Sequence, residues 1–384
     1  MKKTIKSIAA VLAAVMMLLT LCSCKDTSYA CTVDNEQFPA GPYAFYAYYT
    51  RDKYEVQLTA YGMTDFASAL LSDADSEGTK LYTFINEEIK SSYLSHLIVN
   101  LKFDQLGLEL TEEQQTAINE SFQKNWKEEY GEAKFTDICR TLGLTVSEFE
   151  EMVSVSFKYE SLMNYLFGEG GKYEISEEEL KQQFDENYAR FRYIAVSKVN
   201  PETNTALTTD ELIAKKAIID DAYARALAGE DFGALIAECS EDYIQITDDM
   251  TDDEKSTYEG SNAASREQGL VTDKNGIFDY NYYYYYGYSL DSTIVDKLFT
   301  MENGDIEIVE LPSSFWIIHK LDKNEDPSYY EAKRDLIYSS ISTPIVEEVF
   351  NEWENEFAIV FNDAVISKYD PRKIDKLFYV PTAQ

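Results

Sequence analysis

Histidine is almost missing from this 384-residue chain: only His96 and His319 are present. With only these two imidazoles in the chain, a histidine-based zinc site is not expected. Cysteine is scarce as well. Beyond the N-terminal leader only Cys31, Cys139 and Cys239 remain after Cys24, an odd number at unrelated spacings, so neither a disulfide framework nor a metal pattern is expected. Positive charge is short: 34 Lys and Arg stand against 69 Asp and Glu, a net charge of −35. A chain this acidic does not bind nucleic acid through phosphates, and it is repelled by anionic membrane surfaces. A repeated βαβ pattern is also lacking, which argues against a two-lobed α/β solute receptor.

What is present begins with a leader. Lys2, Lys3 and Lys6 precede an apolar stretch from Ile8 to Leu21, too short for an ordinary transmembrane helix. It ends in Leu21-Cys22-Ser23-Cys24, which resembles a bacterial lipobox. The resemblance implies a signal peptide over residues 1–23, cleavage before Cys24 and lipidation of that cysteine. The mature chain then carries 31 basic and 69 acidic residues, a charge of −38. Acyl chains contribute about 0.8 kcal/mol per buried CH2, so the lipid holds this acidic protein at the outer face of a cell membrane.

Ala30 to Phe38 reads as a strand with a turn at Asp34-Asn35, followed by an aromatic helix from Tyr43 to Leu58. Leu81, Phe84, Ile85, Ile89, Leu94, Leu97, Ile98 and Leu101 recur at three- and four-residue steps and predict one apolar helical face. Thr111 with Gln114, Thr145 with Glu148, and Ser176 with Glu179 have the spacing of capping boxes. Gly168 to Gly171 is the expected hinge of this region. Ser328 to Phe357 is helical again, with Pro344 expected to kink or split it, and Ala358 to Phe361 is a strand.

Between these parts, Phe191 to Lys198 forms an apolar strand, three helices follow, and Asp305–Leu311 with Phe315–Asp322 makes a hairpin. That β-α-α-α-β-β order predicts an α+β module with a small antiparallel sheet. Ala228-Gly-Glu-Asp-Phe through Ser240-Glu-Asp242, and Met301-Glu-Asn-Gly-Asp305 with the hairpin after it, resemble the parvulin-type peptidyl-prolyl isomerases. Leu142 to Phe149 and Ile175 to Leu180 resemble the N-terminal chaperone domain of PrsA- and SurA-type foldases. The resemblance implies a mostly helical domain over 24–185, a parvulin-like module over 186–324, and a segment over 325–384 that returns to complete the first domain.

The resemblance also locates a pocket, and there the chain departs from the family. The two facing histidines of active parvulins fall on Tyr193 and Trp316, while Leu290 and Ile294 fall on two apolar pocket positions. His319 lies three residues past Trp316, on the opposite face of the strand. The family's cysteine or aspartate position is assigned to Glu267. Two readings stay open: a dead pocket filled by aromatic core residues, or a working isomerase that rotates proline without histidine against a barrier of ~20 kcal/mol.

Asp248, Asp249, Asp252, Asp253 and Glu254 lack the spacing of a calcium loop and read as a solvated loop in which Thr251 and Glu254 form a further capping box. Tyr282 to Tyr286 reads equally as a binding surface or as a strand with alternate rings buried. The expected function is a lipid-anchored extracytoplasmic folding factor holding unfolded polypeptides, with no cofactor, no metal and no nucleic acid; the alternative is an active peptidyl-prolyl isomerase. Replacing Cys24→Ser should leave the protein unprocessed by the lipoprotein route or released into the medium; fractionation showing normal retention would remove the lipid anchor.

Overall fold

The structure is a computed structural model that describes residues 28–200, 203, 205–278 and 287–378. The leader, Cys24 and Tyr282 to Tyr286 lie outside the described residues. The fold is α+β, and its chain divides into two compact units. One holds the chain up to Glu174 together with the chain from Pro344 onward, and the other is Ile175–Thr343.

The first unit is mostly helical around one small sheet. β1 (Tyr29–Val33) and β2 (Glu36–Pro39) pair antiparallel. Asp34 and Asn35 between them both have positive φ, 50° and 73°, as a two-residue hairpin requires. A strand near the C-terminus, Ile359–Phe361, pairs with the free edge of β1. Asp34 reinforces the junction: its amide donates to the Ala358 carbonyl at 3.1 Å, and its carboxylate accepts from the Ala358 amide at 2.9 Å. The first and last strands of the unit are thus one sheet.

Helix α1 (Ala40–Ala60) follows directly. It serves two cores, which is why its apolar residues spread around the axis instead of forming one stripe. Tyr43 and Ala47 pack with Ile85, Ile89, Tyr93 and Val365, whereas Ala44 and Phe45 pack with Phe122, Phe135, Phe149 and Phe378. The long helix α3 (Leu81–Gln105), reached through the short α2 (Phe66–Leu70), supplies the first set. Phe84, expected on its apolar face, is 42% exposed: the buried side carries Ile85, Ile89, His96 and Phe103, about 100° or more round the helix from it. The second set comes from α4 (Glu112–Phe122), α5 (Glu132–Leu142) and α6 (Val146–Val153), with α7 (Val155–Phe167) closing the run. The Thr111 and Thr145 capping boxes form with both bonds. At the expected hinge, a Cβ on Gly171 would sit 2.5 Å from the Leu166 carbonyl, so the chain turns tightly there.

The second unit has a four-stranded antiparallel sheet. After α8 (Glu177–Asn187), capped by Ser176, come β3 (Tyr188–Ser197), α9 (Thr209–Leu227) and α10 (Phe232–Cys239). Then follow α11 (Asp252–Ala263), β4 (Leu270–Asp273), α12 (Ser292–Thr300), β5 (Ile306–Glu310) and β6 (Ser314–Leu321). The strand order is β4-β3-β6-β5. β4 and α11 are additions to the order read from the sequence. β4 is four residues long and does not alternate; it follows Gly269, whose φ is 73° and where a Cβ would lie 2.8 Å from the Phe191 carbonyl oxygen. The acidic stretch is helical from Asp252, not a loop, because Thr251 and Glu254 exchange capping bonds of 2.9 and 3.2 Å.

This unit is wider than 186–324 at both ends. Leu180, Phe184 and Tyr188 pack with Tyr330 and Ile337 from α13 (Ser328–Asn355), and Tyr330 donates to Glu177 at 2.6 Å. Pro344 lies inside α13 without ending it, since a proline costs a helix one bond but flanking packing offsets the loss.

His96 is buried in the first unit between Tyr46 and Asn100. Asn100 Oδ1 accepts from Lys158 at 2.6 Å, so its Nδ2 donates to His96 Nε2 at 3.3 Å. The imidazole proton therefore sits on Nδ1, facing the Tyr46 hydroxyl at 3.3 Å. Burial, aided by the Lys158 charge, pushes the histidine down to about 4. Below the ordinary value near 6.5 the unfolded chain takes up a proton that the folded chain refuses until about pH 4. Stability thus falls as pH drops through that window. Between pH 7 and pH 5 wild type should lose roughly 2 kcal/mol more than His96→Gln in urea unfolding; parallel losses would show that His96 titrates normally.

Candidate functional site

Strand alternation sorts the second unit's sheet into two faces. Ile194, Val196, Phe315 and Ile317 pack beneath α9 and α10 with Ile219, Leu235 and Ile236. Phe191, Ala195, Trp316 and Ile318 point the other way, onto Leu290, Ile294 and Leu298, with Tyr193 against them. The β3–β6 register sets Tyr193 opposite Ile318 and Ala195 opposite Trp316. Tyr193 and Trp316 are therefore diagonal neighbours on one face. Their rings stack with centroids 4.4 Å apart and planes 26° apart.

The stacked pair walls a cavity of about 400 Å³, with Tyr243, Phe278, Tyr288 and Leu290 among its other lining residues. A neighbouring cavity of about 690 Å³ shares Asp242, Tyr288 and Trp316 with it. Leu290 lines the first cavity, while Ile294 is wholly buried in the cluster beneath the wall. The Trp316 indole N–H is satisfied by Ser314 Oγ at 2.9 Å.

The acid at this site is Asp242. Glu267 is exposed in the turn after α11 and is absent from the described residues lining the cavity; it lies past α11, whereas the chain approaches β3 immediately after α10. There Ser240 Oγ accepts from the Ala195 amide at 3.1 Å, and the Glu241 amide donates to the Ala195 carbonyl at 2.9 Å. Glu241 also accepts from the Ser197 amide at 2.6 Å and pairs with Lys215. This lacing brings the next residue, Asp242, to the Tyr193 hydroxyl, which donates to it. Burial, with the Asp242 charge second, raises the tyrosine well above its usual value. Burial raises the Asp242 carboxyl too, and the hydrogen bond from Tyr193 opposes that shift. The sequence signal for Asp242 was the Ser-Glu-Asp that closes the α10 segment.

His319 faces the opposite side. It lies 5.0 Å from the Phe232 ring, and its Nδ1 meets Arg192 Nη2 at 3.1 Å. Burial and the guanidinium push it down to about 4. Among the described residues lining the two cavities there is no histidine and no cysteine. What remains is an aromatic enclosure with one carboxylate at its edge. It can bind, but it offers no imidazole to exchange a proton near neutral pH.

Truncating Trp316→Ala should cost ~3–5 kcal/mol, because the ring is 8% exposed and packed in the apolar cluster. Tyr193→Phe removes only the bond to Asp242 and should cost ~1 kcal/mol. Urea unfolding of both variants checks the order; a cost below that of Tyr193→Phe for Trp316→Ala would make the indole a surface residue.

No family model and no curated protein matches the chain. Solved structures do. A peptidylprolyl isomerase (PrsA) from Bacillus cereus is 16% identical, covering 78% of this chain and 98% of its own, with a TM-score of 0.33. Foldase protein PrsA from Streptococcus pneumoniae is 13% identical over 78% of this chain and 99% of its own, at 0.30. A foldase protein (PrsA) from Lactococcus lactis is 13% identical over 89% and 97%, at 0.29. Superpositions this loose, at identities this low, identify no function.

Proposed function

We propose that this protein is a lipid-anchored extracytoplasmic folding factor that holds unfolded polypeptides, with an inserted parvulin-like module that binds without efficient isomerisation. One observation carries the reading. The parvulin resemblance assigns Tyr193 and Trp316 to two facing positions more than a hundred residues apart, and they stack at 4.4 Å beside one cavity. No local rule forces that contact. The helical unit, built from both ends of the chain around the module, supports the domain order that goes with it. The leader and the Cys24 lipobox support the location.

Weak catalysis is the expected consequence of the two replacements. Rotation about a prolyl bond requires a distorted imide and a desolvated nitrogen, and apolar rings supply the dry environment. They do not supply the imidazole pair, and the remaining histidine of this unit is on the other face. The test pairs two measurements on the mature chain: proline isomerisation in a short peptide and the refolding yield of an aggregation-prone protein. The expected result is a raised yield with isomerisation within about tenfold of the uncatalysed rate. Fast isomerisation would establish a histidine-free catalytic pocket instead, and no effect on yield would sink the folding-factor reading.

A further inference from the structure

Replacing two imidazoles by a tyrosine and a tryptophan changes what the cavity attracts. Its described lining includes Tyr193, Tyr243, Phe278, Tyr288 and Trp316, together with one carboxylate, Asp242, and no lysine or arginine. Aromatic faces carry negative quadrupole charge, and a cation set among them gains most when it is desolvated. Two cations lie near the cavity, and one of them is neutralised by a carboxylate. Lys215, in the neighbouring cavity, is paired with Glu241. Arg266 is bound to the Gly233 carbonyl at 3.2 Å and to the Tyr243 hydroxyl at 3.1 Å. Its guanidinium lies 5.1 Å from the Tyr243 ring centroid, so one ring of this wall already carries a cation on the protein's own side. Glu241, the neighbouring charge that acts on Asp242, is negative.

We infer that the aromatic cavity beside Asp242 takes an organic cation, a guanidinium or alkylammonium group, instead of an uncharged proline ring. The cation enters among the rings and Asp242 closes it as counter-ion. Two sources share this chemistry: an arginine or lysine side chain of an unfolded polypeptide, or a free small amine. The peptide source rests on the folding-factor reading; the cation assignment does not. An acidic chain with a net charge of −35 raises the local concentration of basic ligands of either kind.

The experiment is calorimetric titration of the mature chain with the peptides Ala-Ala-X-Ala-Ala, where X is arginine, citrulline, norleucine or proline, and separately with acetyl-arginine amide and tetramethylammonium. The arginine peptide should bind roughly tenfold tighter than its uncharged citrulline counterpart. Asp242→Asn keeps an acceptor for the Tyr193 hydroxyl and should reduce that ratio to near one, while citrulline binding and the circular dichroism spectrum stay unchanged. Equal affinity for arginine and citrulline in wild type, a ratio that survives Asp242→Asn, or a proline peptide that binds as tightly as the arginine peptide would overturn the inference. Tighter binding of the arginine peptide than of acetyl-arginine amide assigns the polypeptide as source, and equal affinity with clear tetramethylammonium binding assigns a free amine; both keep the cation. A protein that fails to raise refolding yield but titrates with tetramethylammonium loses the folding-factor reading alone.

Discussion

The antiparallel ladder between β3 and β6 governs the second unit. Eight residue pairs, from Arg190 with Leu321 to Ser197 with Ser314, lock the register. A slip of one residue would exchange every inward and outward side chain. In β6 such a slip would put Trp316 under α9 and α10, away from Tyr193, and turn His319 to the cavity face. Both faces of this ladder are packed on apolar clusters, so any slip exposes two cores at once. That cost holds the ring pair in place.

The first unit depends on a closure of a different kind. β1 is paired on one side with β2, its sequence neighbour, and on the other with a strand more than 320 residues later. A buried carboxylate extends the closure. Asp52 in α1 accepts the amides of Leu377 and Phe378 at 2.8 and 2.6 Å and pairs with Arg51, which fixes Phe378 in the second aromatic cluster. An open edge strand and an exposed aromatic cluster would otherwise be left at the N-terminal end. The same closure explains why a whole α+β unit can be inserted between α7 and the later half of α13: the termini of the insertion leave and re-enter one unit.

Electrostatics follow from what the chain lacks. With two histidines in all, His96 buried and His319 half-buried, each beside a cation and held near 4, neither imidazole changes charge near neutral pH. Charge recognition falls to carboxylates. Most of these are on the surface, where water screens them; Asp242 differs because aromatic rings border it. On the proposed reading, the module's binding chemistry rests on cation attraction and not on proton exchange.

Much of this was legible in the residues. The Asp34-Asn35 turn, the helix following it, the capping boxes at Thr111, Thr145 and Thr251, and the hairpin from Asp305 to Asp322 are local signals, carried by backbone preferences within a few positions. Alternation along β6 placed His319 opposite Trp316 for the same reason. Other features depend on distant partners. Whether Phe84 or Tyr93 is buried depends on which helices meet α3. The short β4 exists because β3 offers it an edge, and Asp242, not Glu267, reaches the cavity because Ser240 and Glu241 bond to β3. Pattern within the sequence determined the elements and the faces of the strands; only tertiary packing decided which of several acidic and aromatic residues share a cavity, since that is set by bonds between segments whose separation in sequence carries no local energy.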